Sequence, residues 1–99
     1  MEFESSNKLR TAAQRLFDRS VVDDVLKLLV NECGENLPLV ANNFERVQFA
    51  ALKLSDGDIT RLKLLVNDAK NDWRDLLVAA GFHRAVDEHM RWFENLCQA

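Results

Sequence analysis

Tyrosine is absent from this 99-residue chain, and proline, glycine and cysteine are scarce: one, three and two residues respectively. Two cysteines, Cys33 and Cys97, sixty-four positions apart and outside any C-x-x-C pair, make neither a disulfide scaffold nor a zinc-binding framework. They are expected to be reduced thiols of a cytoplasmic protein, because disulfides are rare in that compartment. The first residues, Met1-Glu2-Phe3-Glu4-Ser5-Ser6, are acidic and polar, so no secretory segment is expected. Long apolar runs are missing too. The longest, Leu76 to Phe82, is far short of the ~20 residues that a bilayer-spanning helix needs, so no membrane partner is expected.

An excess of positive charge is also lacking. Thirteen Lys and Arg stand against sixteen Asp and Glu, a formal net charge of −3. Divided at Gly34, the chain carries 5 − 6 = −1 before the glycine and 8 − 10 = −2 after it, so neither half is a basic arm. Non-specific nucleic-acid affinity rests on Lys and Arg displacing counterions, and this balance opposes it.

What the chain has instead is apolar residues at helical spacing, interrupted where Pro38, Gly34, Gly57 and Gly81 fall. Leu9, Ala12, Ala13, Leu16 and Phe17 line one face of a first helix, from about Ser6 to Phe17. Ser20 followed by Asp23 reads as a variant capping box, and Val22, Val25, Leu26, Leu29 and Cys33 line a second helix up to Gly34. Gly34 to Asn42, with Leu37, Pro38, Leu39 and Val40, reads as an apolar linker packed over the bundle. Asn42 is the expected cap of a third helix lined by Phe44, Val47, Ala50, Ala51 and Leu54.

Ser55-Asp56-Gly57-Asp58 turns the chain, and Asp58 then caps a fourth helix faced by Ile59, Leu62, Leu65, Val66 and Ala69. Asp72 with Asp75 caps a short fifth one carrying Trp73, Leu76, Leu77 and Ala80, closed by Gly81. Phe82, Val86, His89, Met90, Phe93, Leu96 and Cys97 line the last helix. With no sustained strand-like alternation, the expected fold is all-α: a compact bundle of five to six short amphipathic helices forming a single helical domain over residues 1–99.

Residues that could carry chemistry are few. His83, Asp87, Glu88 and His89 form the one cluster containing histidine, and His83 with Asp87 has the i, i+4 spacing of ligands on one helical face. His89 lies six residues from His83, about 120° away around a helix, so a metal- or ligand-dependent site at His83, Asp87 and His89 is an alternative rather than the leading reading. The acidic pair Asp23 and Asp24 falls in a first helical turn, where the helix dipole favours negative charge. Ser55 to Asp58 lacks the twelfth-position glutamate of a calcium loop, because counted from Asp56 that position is Asn67. A DNA-binding helix-turn-helix from Ile59 to Phe82 would offer Asp72 and Asp75 to the bases, which opposes phosphate approach.

Trp73-Arg74-Asp75-Leu76-Leu77 is similar to the tryptophan-centred helices of death-fold interaction modules, though one helix follows it where that six-helix fold needs several. The stretch from Phe44 to Phe82 resembles segments of small bacterial proteins and implies no function. No cofactor, metal or catalytic residue is therefore expected.

The most informative feature is a surplus. With one buried stripe assigned to every helix, Val21, Leu28, Val30, Phe49, Leu52, Leu64, Val78 and Trp92 remain beside or opposite it. Central helices covered on two sides would absorb some of them, the fourth and fifth being the expected central ones. Gathered into one patch, they would form a protein interface. The leading expectation is a non-catalytic protein that works by protein association, as a homodimer, with Phe49, Leu52, Leu64, Val78 and Trp92 as its interface residues.

Overall fold

A computed structural model of the chain describes residues 3–33, 44–84 and 87–98. Every regular element among them is helical: α1 (Phe3–Leu16), a single 3-10 turn (Arg19–Val21), α2 (Val22–Cys33), α3 (Phe44–Ser55), α4 (Ile59–Ala80) and α5 (Glu88–Gln98). The expectations for Gly34, the linker to Asn42, the Asn42 cap and Val86 lie outside the described residues.

The spacing explains α1 and α2 directly. Leu9, Ala12, Ala13 and Phe17 of the first run, then Val22, Val25 and Leu29 of the second, are buried in one core. Between them Ser20 departs from its expected role. It sits inside the 3-10 turn, and its hydroxyl donates to the Asp18 carboxylate at 2.6 Å instead of accepting from the first turn of α2. The Ser20 hydroxyl and amide hold the Asp18 carboxyl below the usual carboxylate range. Stabilisation from that depressed group is present above its unfolded pKa and is lost as pH falls through its folded one.

The centre of the bundle is α3. Val47, Gln48, Phe49, Ala50, Ala51 and Leu52 are all buried, and six consecutive residues sweep about 500° of helix, more than a full turn. A helix buried all round has neighbours on every side, and α1, α2, α4 and α5 all pack against this one. The fourth and fifth expected helices, together α4, pack against both α2 and α3, but this does not absorb Leu64 and Val78, which stay 64% and 56% exposed. Within α3, buried Gln48 donates from Nε2 to the Leu29 carbonyl at 3.3 Å, and the Ser55 hydroxyl donates to the Leu52 carbonyl at 2.7 Å.

Asp58 caps α4 as expected: its Oδ1 accepts from the Thr60 amide at 2.9 Å and the Arg61 amide at 3.2 Å. The two expected helices on either side of Asp72 are continuous but kinked there, with Asp72 at φ −155 and ψ 93. Its Oδ1 accepts from the Arg74 amide at 3.1 Å, so it still caps the segment after the kink. At the far end Gly81 is left-handed (φ 80); its amide donates to Val78 and that of Phe82 to Leu77, at 3.1 and 2.8 Å. These two bonds are the Schellman pair that satisfies the last carbonyls of a helix.

Gly57 and Gly81 are both left-handed, yet they should respond differently to alanine. A Cβ on Gly57 would stand 2.6 Å from the Leu16 carbonyl oxygen, whereas one on Gly81 meets nothing within 4 Å. Gly81→Ala should therefore cost only the left-handed penalty, about 1 kcal/mol. Gly57→Ala must also push back the end of α1 and should cost about 2 kcal/mol or more. Urea denaturation of the two variants measures the difference, and equal losses would contradict the close approach of α1 to this turn.

Candidate functional site

Two places bear on function: the junction where α5 docks on α3, which holds the one buried histidine among the described residues, and the solvent side of α4. The junction is built from α3 outward. Glu45, Phe49 and Lys53 recur at four-residue spacing along α3 and meet the 80–82 turn and α5. Phe82 lies just ahead of α5 rather than within it and is buried at 2% exposure. The Lys53 ammonium donates to the Ala80 carbonyl at 2.7 Å and stands 5.1 Å from the centre of the Phe82 ring. The Arg46 guanidinium donates to the Phe82 carbonyl. Cations at the carbonyl end of a helix complement its dipole, so two basic side chains of α3 anchor the exit of α4.

His89 enters this junction from the first turn of α5. It is 5% exposed, with its ring edge-on to Phe49 at 5.4 Å and to Phe82 at 6.3 Å. Nε2 lies 2.9 Å from Oε1 of Glu45, a side chain 22% exposed. Against an ionised carboxylate, Nε2 carries the proton and donates. Nδ1 is buried and has no hydrogen-bond partner among the described residues. Trp92 and Phe93 add their rings to Phe49 at 6.0 and 5.7 Å, which completes an aromatic cluster between the helices.

The arrangement packs α5 against α3 and the 80–82 turn. His83 and Asp87 are exposed, and Asp87 pairs with Arg91 one turn on, at 3.4 Å. They do not join His89, whose partner is Glu45 on another helix. Among the described residues, no three His, Cys, Asp or Glu side chains come together in a way that could hold a metal ion. Cys97 is a free, half-buried thiol near the end of α5, and its carbonyl accepts from Arg15 at 3.0 Å. Glu45, Arg46 and Lys53 are the members of the junction that sequence reasoning missed. Glu45 lies forty-four positions from His89, and nothing local marks the pairing.

If the pair fastens α5, removing the acceptor should be felt. Glu45→Ala leaves a buried imidazole N–H without a partner and should destabilise the fold by about 1–3 kcal/mol. Glu45→Gln retains an acceptor oxygen and should lose clearly less. Thermal unfolding followed by circular dichroism compares them, and an alanine variant as stable as the wild type would remove the pair from the account.

The five expected interface residues part company. Phe49 and Leu52 are each 0% exposed. The expectation that they anchor an interface is corrected, because α3 is enclosed all round and their off-stripe positions face other helices. Trp92 is half-buried, edge-on to Phe49 and 6.1 Å from Phe82, so it packs in part into the aromatic cluster. Leu64 and Val78 are 64% and 56% exposed, one on each side of the α4 kink. Val30 on α2, which packs against α4, is 49% exposed. Of the remaining surplus, Val21 and Leu28 are partly buried against the core.

A groove of about 300 Å³ lies at the kink, with Leu54, Leu65 and Leu76 in its lining and Asp68, Asp72 and Asp75 beside them. No described helix is long and apolar enough to cross a membrane. Comparison of the chain with protein-family models, curated proteins and solved structures finds no match.

Proposed function

We propose that this protein is a non-catalytic helical module that works by protein association, pairing with a second copy of itself through the solvent side of α4. The observation that carries the reading is the exposure of Leu64 and Val78. Buried Leu62, Val66, Ala69, Leu76, Leu77 and Ala80 show that α4 already has a complete core-facing side. Leu64 and Val78 contribute nothing to that core and leave more than half of two large apolar side chains in water. Single exposed apolar residues are ordinary on a protein surface; Leu64 and Val78 on α4 and Val30 on α2 are three large ones that association would remove from water.

The net charge of −3 favours a protein partner over a polyanion. The buried junction at His89 supports a non-catalytic reading, since its polar groups serve the packing of α5. Methyl resonances test the choice of surface. Between dilute and concentrated solution those of Leu64 and Val78 should shift, while those of fully buried Leu29 and Leu62 stay in place. Concentration-independent signals at Leu64 and Val78 would refute this face as the contact.

A further inference from the structure

We draw no further inference here: the strongest candidate, the groove at the α4 kink lined by Asp68, Asp72 and Asp75, is an acidic cluster in which Asp72 already caps the following helical segment, and no second feature of the structure points to a ligand there.

Discussion

Phe49→Ala is expected to lower the free energy of unfolding by about 3–5 kcal/mol, the usual loss for a phenylalanine deleted from a packed interior. The ring is fully buried and touches the rings of His89, Trp92 and Phe93, so its removal opens a cavity at the point where α5 meets α3. The Glu45–His89 hydrogen bond lies at the same junction, and it should weaken as α5 loses its seat. Domains of this size are stable by only about 5–15 kcal/mol, so the variant should be partly unfolded at ambient temperature or melt tens of degrees lower. Urea denaturation monitored by helicity and by tryptophan emission checks this. A fully stable variant with altered association would return Phe49 to the surface role that its off-stripe position suggests.

The second large effect concerns association. Leu64→Asp and Val78→Asp should each leave the fold within about 0.5 kcal/mol of the wild type, because both side chains are more than half in water. Each places a charge in an apolar contact, and each should weaken self-association by about 2 kcal/mol or more, roughly thirtyfold. Sedimentation equilibrium on each variant, beside a melting curve, separates the two readouts. Unchanged self-association in both would mean that another surface makes the contact, and a large loss of stability in either would mean that α4 is covered within the monomer.

The parts of the fold legible in the sequence are those decided locally. Asp58 caps α4 because a carboxylate can reach the amides two and three residues on, and Gly81 ends it because a left-handed residue after a helix favours glycine. Asp72 was legible as a cap although the helix continues past it with a kink, since the same short-range bond forms in either case. What could not be read was which helix is enclosed. Periodicity assigns each helix one stripe, whereas α3 is buried all round, a property of the neighbours it acquires. Adjacent Ala50 and Ala51, small enough to let helices approach on two sides, are the local trace of that enclosure.

The candidate site was legible in the same uneven way. Leu64 and Val78 could be singled out because they lie opposite strong core stripes on their own helix. Phe49 and Leu52 looked alike by that criterion and are core residues, because being opposite one stripe means exposure only when a helix has one covered side. His89 was recognisable as a histidine flanked by apolar residues, but its partner is set by the docking of α5 on α3. Long-range pairing of that kind leaves no spacing to read.

Solution mass by light scattering over a range of concentrations tests the association account most directly. The account predicts a mass approaching twice 11.4 kDa as concentration rises, reduced toward 11.4 kDa in Leu64→Asp and Val78→Asp at the same concentrations. A wild-type mass that stays at 11.4 kDa throughout would contradict it.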